Sequence, residues 1–358
     1  MSGLLDTTAK QDAAARVPPR AARDARDVLA RCRSIVDPAL RAAVGTLPAP
    51  IRNTSGYHLG WWDEHGTAAT ASGGKTLRAA LVLLAARAVG GESTAAVPGA
   101  VAVELVHNFS LLHDDVMDGD TTRRHRPTAW SVFGSDAAIL AGNSMLALAF
   151  EVLTSPGSPS ATDTVPALNT AVQELMAGQS ADLEFESRND VGLAECVRMA
   201  EHKTGALLGC ACALGAMAGR GEPDQVALLR RFGERIGLAF QIIDDLLGIW
   251  GDESVTGKPA FSDLRNRKKS LPAVLALTSG TEEGAELAAL YAREEPPSGS
   301  DLPRAAGLIE AAGGRQWCVR RADSLLEEAL SDLTMAASSA SARAELTALA
   351  KLVTSRDH

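Results

Sequence analysis

Apolar residues along this chain recur at helical spacing. The clearest stripe runs through Val101, Leu105, Phe109, Leu112 and Val116, three- and four-residue steps that line one side of a helix. A run without charges between Lys203 and Arg220 is rich in Gly and Ala; it suits a tightly packed core helix and is too short for a membrane span. No sustained period-two alternation bounded by hairpin turns is found, so strands are not expected. Helical patterning begins near Asp27 and breaks at Pro48 and Pro50. A connector holding Tyr57, His58, Trp61, Trp62 and His65, then the TAATASGGK stretch, leads into long helical segments from Thr76 onward. The pattern predicts one all-α domain over residues 26–358, with helices bundled around a central cavity. Residues 1–25 lack an apolar face and are expected to form a mobile tail.

Composition sharpens this. The chain has 358 residues, 46% hydrophobic and 22% charged, enough for a large core. Only 4% are aromatic, which favours helices over strands. The net charge of −9 argues against a nucleic-acid or anionic-membrane surface, so a bound anion must meet a local group of Lys and Arg. Five cysteines, Cys32, Cys196, Cys210, Cys212 and Cys318, lack paired metal spacing and read as reduced thiols of a cytoplasmic protein. Neither a signal peptide nor a transmembrane segment is expected.

Two acidic clusters interrupt the apolar stretches. LLHDDVMD carries Asp114, Asp115 and Asp118, and QIIDDLLG carries Asp244 and Asp245. Asp114 and Asp118 share a helix face with Asp115 at its edge, and His107 extends that face upstream. Gln241, Asp244, Asp245 and Gly248 repeat the design. Carboxylates are costly among apolar neighbours unless paired or bound to metal. Two helices aiming carboxylates into one cavity make a site for a hard cation such as magnesium, completed by substrate phosphates.

Basic residues lie near both clusters. Lys75 and Arg78 follow a glycine pair at a helix start, where free N–H groups favour anions, although a solvated basic helix end has the same pattern. Arg123 and Arg124 follow the first cluster by a short loop and suit bidentate contact with phosphate. Lys203 and Thr204 precede the small-residue helix; Lys258, Asp263, Lys268 and Lys269 follow the second cluster.

Taken in order, GGKTLR, ELVHNFSLLHDDVMDGDTTRR, GQSADLEFE, KTGAL, FQIIDDLLGIWGD, TGKP and SDLRNRKKSLP resemble the trans-isoprenyl diphosphate synthases, or polyprenyl synthetases, over roughly residues 50–350. The resemblance implies a helical isoprenoid-synthase bundle, usually a homodimer. It implies magnesium, three ions in all, held by Asp114, Asp115, Asp118, Asp244 and Asp245. Lys203, Lys258 and Arg123 would contact an allylic diphosphate, and Lys75, Arg78, His107 and Arg124 the diphosphate of isopentenyl diphosphate. Thr204, Gln241 and Lys268 fall on further motif positions lining the site. The implied reaction ionises the allylic diphosphate, joins the cation to the double bond of isopentenyl diphosphate and releases a proton.

Three positions depart from the pattern: Gly248 replaces the third aspartate of the second motif, Asn143 a frequent aspartate, and His125 a usual glycine. Phe109 lies five residues before Asp114, about 7.5 Å along a helix, and would floor the cavity in which a prenyl tail grows. In the family the chain resembles, an aromatic here goes with short products and a small residue with long ones; with Ser110 small beside it, the resemblance implies geranylgeranyl over farnesyl diphosphate. A class I terpene cyclase would not need the second basic group, and a non-catalytic subunit of a heteromeric synthase would not need both aspartate pairs. The YHLGWWDEHG segment resembles actinobacterial polyprenyl transferases, some of which dock into encapsulin shells, a role residues 1–25 could serve.

Overall fold

Val101, Leu105, Phe109 and Leu112 are buried along helix α4 (Val97–Met117), and Val116 is half-buried at its end. The structure is a computed structural model that describes residues 19–69, 76–155, 161–252 and 260–354, with side chains from Ala25 onward. Among the described residues, strand pairing is limited to a two-residue hairpin, β1 (Thr122–Arg123) with β2 (Arg126–Pro127), and a single Trp62–Ala68 bridge.

The chain opens with α1 (Pro19–Gly45), α2 (Ala49–His58) and α3 (Leu77–Ala88). Helix α1 starts before the expected point near Asp27, because proline is well suited to a first helical turn. Residues 1–18 of the expected tail lie outside the described residues. His58, expected in a connector, closes α2.

The small-residue run forms α9 (Ala206–Ala218), buried along almost its whole length as expected of a core helix. Around it pack α3, α4, α7 (Ala161–Ser187) and α10 (Pro223–Trp250). Helix α8 (Leu193–Ala200) runs into α9 through a π-helical turn, Glu201–Gly205. The C-terminal part continues with α11 (Ser262–Arg265), α12 (Leu271–Leu277), α13 (Glu282–Tyr291), α14 (Asp301–Ala311), α15 (Gly314–Ala336) and α16 (Ala340–Thr354).

Helix α5 (Ala129–Phe133) leads into α6 (Ser135–Thr154), which packs on α4 with one side and exposes Ile139 and Leu140 on another. Two stretches, Ser93–Met117 and Ser135–Thr154, are long and apolar enough to cross a membrane, which the charge-free-run criterion did not detect. In the first, 72% of the most apolar window is buried inside the bundle, the signature of a core helix; in the second, only 39% is buried.

Candidate active site

Helix α4 ends in the first acidic cluster. His107, Leu111, Asp114 and Asp118 share its partly exposed side. Burial pushes the Asp114 carboxyl up to about 6; Lys203 opposes this, while Asp118 and Asp115 add to it. Burial also raises Asp118, again against Lys203. Burial raises Asp115 as well, with Arg123 opposing the rise, but its contacts differ. It is 1% exposed, and Nε of Arg123 donates to its Oδ1 at 2.6 Å. Its Oδ2 has no hydrogen-bond partner among the described residues.

The second cluster divides in the same way. Gln241, Asp244 and Gly248 are half-buried on one side of α10, and Asp245 is buried behind them. Thr204 Oγ1 donates to Gln241 Oε1 at 2.7 Å, and Gln241 Nε2 donates to Asp245 Oδ1 at 3.0 Å. The backbone N–H of Leu271 donates to Asp245 Oδ2 at 2.9 Å, and Lys268 Nζ stands 3.7 Å from Oδ1. Burial raises Asp245 to about 6, and Lys268 limits the rise. Burial works against the Lys268 ammonium, yet Asp245 and Asp263 outweigh it and hold that group above its usual range. In each pair, then, one aspartate lies on the half-buried face and the next anchors a cation. Asp115 and Asp245, expected beside the metal, also meet protein donors.

Between the clusters stands an ion pair absent from the expected set. Lys203 Nζ lies 2.5 Å from Asp182 Oδ2 on α7. The π-helical turn carries Lys203 and Thr204, and such turns recur at functional sites. A Cβ on Gly178 would come 2.4 Å from the Lys203 backbone nitrogen, so only glycine lets α7 approach this closely. The charge of Lys203 reaches Asp114 and Asp118, and that of Asp182 reaches Asp118 and Lys268.

Arg78, His107 and Arg124 form a separate basic group. Burial lowers Arg78 to about 10, opposed chiefly by Glu104. The Glu104 carboxylate is buried; burial raises it, and the Ala79 N–H donates to it at 3.1 Å. His107 is held well below its usual range by burial, then by Arg78, Arg124 and Arg123, so its ring is neutral. His58, at the end of α2, belongs here. Burial first, then Arg123 and Arg124, lower it to about 3.

Arg124 and His125 form the hairpin turn with φ of 52° and 62°. Left-handed backbone at both central residues is what a two-residue hairpin turn requires. This explains why glycine is usual where His125 stands. Arg126 fixes the hairpin against α2: its guanidinium lies 4.4 Å from the Tyr57 ring centroid and donates to the Tyr57 and Trp62 carbonyls. His113 packs on Phe109, and its Nε2 meets the Ile139 carbonyl.

Lys75 and Lys258 lie outside the described residues. Asp182 and Glu104 were missed, although each is a carboxylate in one of the quoted motifs. The rule that singled out the aspartate clusters, an acid within an apolar run, also applies to Glu104 in AVAVELVHNF.

The donor set fits magnesium: hard carboxylate oxygens of Asp114, Asp118 and Asp244, with Lys203 beside the first two. Among the described residues no three ligating side chains converge on one point. That suits an ion taking one or two carboxylates and completing its shell with phosphate oxygens. Asp114 and Asp245 also give a pH signature. Their carboxyls hold protons to about 6 in the fold, against an ordinary value of 3.8. Without metal the folded state therefore binds more protons in this window, and these groups remove stability as pH rises from about 4 to about 6. Asp114→Asn should gain stability over the wild type across that window in urea unfolding with chelator present. An unchanged difference between pH 4 and pH 7 would contradict the raised carboxyl.

Helices carrying half-buried carboxylates, beside a separate guanidinium group, fit an all-helical enzyme that handles diphosphates with a divalent metal. The chain belongs to the polyprenyl synthetase family, which matches residues 60–308, and it is a prenyltransferase. It is 45% identical over 331 residues to geranylgeranyl diphosphate synthase of Mycobacterium tuberculosis, covering 92% of this chain and 93% of that protein. It is 48% identical over 294 residues to (2E,6E)-farnesyl diphosphate synthase of Mycobacterium bovis, covering 81% and 82%. Polyprenyl synthetase from Streptomyces coelicolor A3(2) superposes with a TM-score of 0.87 at 44% identity, over 91% of this chain and 98% of that one. Geranylgeranyl pyrophosphate synthase from Corynebacterium glutamicum, solved with isoprenyl diphosphate and magnesium, gives a TM-score of 0.75 at 27% identity, over 94% and 99%.

Proposed function

We propose that this prenyltransferase condenses isopentenyl diphosphate with an allylic diphosphate to give geranylgeranyl diphosphate. The observation carrying this reading is the separation of charge: carboxylates and Lys203 at one place, and Arg78, Arg124 and neutral His107 at another. Asp114, Asp118 and Asp244 would hold magnesium, three ions with the diphosphate, and magnesium would stabilise charge growing on the departing group. Lys203, aligned by Asp182, takes up allylic diphosphate oxygens together with Arg123, itself aligned by Asp115. Lys268, gripped by Asp245 and Asp263, completes this side. Arg78 and Arg124 bind the second diphosphate, and His107 donates a hydrogen bond without adding charge. That geometry holds the double bond near the forming cation.

Chain length rests on Phe109. It is 3% exposed, 4.7 Å from the His113 ring, and its Cδ2 lies 3.4 Å from where a Cβ on Gly142 of α6 would be. Ser110 is spent locally, its hydroxyl donating to the His107 carbonyl. The ring thus closes the gap between α4 and α6 below Asp114. Phe109→Ala should move products beyond twenty carbons, and Ser110→Phe should shorten them toward fifteen, as read by chromatography after incubation with isopentenyl diphosphate and each primer. Wild-type chain lengths from both variants would remove the basis for this product.

The exposed apolar residues Val132, Ile139 and Leu140 fit the α6 side to a second copy of the chain, as a homodimer. Five free, buried cysteines suit a cytoplasmic enzyme. In this reading residues 1–25 dock the enzyme into an encapsulin shell; removal of residues 1–18 should abolish capture by shells and spare turnover.

A further inference from the structure

We infer that Arg33 of α1 is a positioning residue for the second diphosphate: by holding Thr76 it fixes the start of α3 and, with it, the guanidinium of Arg78. The inference rests on the two-diphosphate reading above and extends it to a helix outside both charged groups. Thr76 is the residue from which α3 springs, and its backbone is left-handed, with φ of 51° and ψ of 30°. A β-branched side chain is a poor occupant of that region. Threonine at a helix start ordinarily turns its hydroxyl onto the first free N–H groups of the helix. Thr76 makes no such bond; its Oγ1 instead accepts from Arg33 Nε at 3.1 Å. A costly backbone conformation persists where the surrounding structure imposes it, and such residues gather at functional sites.

Arg78 lies between two anchors. One is Thr76, two residues before it, tied to α1. The other is Ala79, directly after it, whose N–H donates to the buried Glu104 carboxylate of α4 at 3.1 Å. Arg78 Nε is buried without a hydrogen-bond partner among the described residues, so the set of the backbone beside it directs that guanidinium. The charge of Arg33 belongs to the same group: it opposes the rise of Glu104 and lowers Arg124. Arg33 is itself held in a row. Burial raises the Asp37 carboxyl, one turn along α1, and Arg33 and Arg41 oppose the rise from either side. The Arg41 guanidinium lies 4.4 Å from the Trp61 ring centroid. This side of α1 thus meets the connector between α2 and α3 at Trp61 and again at Thr76.

The test is steady-state kinetics of the enzyme with magnesium, each substrate varied in turn, with thermal melting to follow the fold. Arg33→Ala should raise the Michaelis constant for isopentenyl diphosphate about three- to tenfold, the scale of one hydrogen bond. Turnover and the constant for the allylic primer should stay within about twofold of the wild type, since the link touches one site only. Thr76→Val keeps the branched shape, removes the hydroxyl and should raise the same constant. Because both changes break one link, the double variant should be no worse than the more impaired single one. An unchanged constant for isopentenyl diphosphate in either single variant would overturn the inference. So would equal rises for both substrates, which would make α1 a support of the whole bundle, or effects that multiply in the double variant. If Arg33→Ala melts early, Thr76→Val decides alone. Wild-type protein that consumes an allylic diphosphate without isopentenyl diphosphate would instead overturn the functional reading itself.

Discussion

Asp114→Asn should cut turnover by at least about a hundredfold, the scale seen when a group facing developing charge is removed. The fold should survive. Asp114 sits on the half-buried side of α4, where burial and its two acidic neighbours already disfavour its charge. Neutralising it relieves that conflict, so the metal-free variant should unfold at equal or higher urea concentration. Asp115→Asn is the contrasting case. Arg123 would lose a charged partner at 2.6 Å that is almost fully buried, while its own side chain is 29% exposed. The loss should be about 1–3 kcal/mol of stability, with reduced turnover as Arg123 loosens. Activity lost with stability kept marks a residue facing metal; both lost together marks one that aligns a cation. The same loss of stability in both variants would refute the division of labour within the pair.

Arg78→Ala should raise the Michaelis constant for isopentenyl diphosphate about ten- to a hundredfold, since hydrogen bonds to charged groups are worth about 1.5–3 kcal/mol. The constant for the allylic primer should change little. Arg78 lies at the start of α3 with Glu104 beneath it and Arg124 nearby, whereas Lys203 and Asp182 serve the carboxylate side. The variant also takes from Glu104 the cation that most opposes its rise. That carboxyl is already raised by burial and can take up a proton, which limits the cost to folding. Equal increases for both substrates would mean one shared anion site, and a cyclase-like reaction without isopentenyl diphosphate would become the better account.

Much of this was legible in the sequence because helical periodicity is local. The apolar stripe on α4, the buried α9 and the shared face of Asp114 and Asp118 all follow from spacing alone. What spacing could not show was which member of each aspartate pair turns inward. That depends on Arg123, eight residues on across a hairpin, and on Lys268 and the Leu271 N–H, brought back by the chain after α10. The setting of His58 was hidden for the same reason: nothing near it in sequence shows that it lies beside Arg123 and Arg124. That the Asp263 carboxylate lies beside Gly248 is equally invisible to local spacing. The start of α1 at Pro19 was obscured by a weak apolar pattern, not by a breaker.

The central claim is that within each aspartate pair one carboxylate meets the metal and the next holds a protein cation. Anomalous scattering from crystals grown with manganese and an unreactive allylic diphosphate analogue tests it most directly. The account predicts metal contacts from Asp114, Asp118 and Asp244, with Asp115 still on Arg123 and Asp245 still on Lys268 and the Leu271 N–H. A metal bound directly by Asp115 or Asp245, or no metal between α4 and α10, would contradict it.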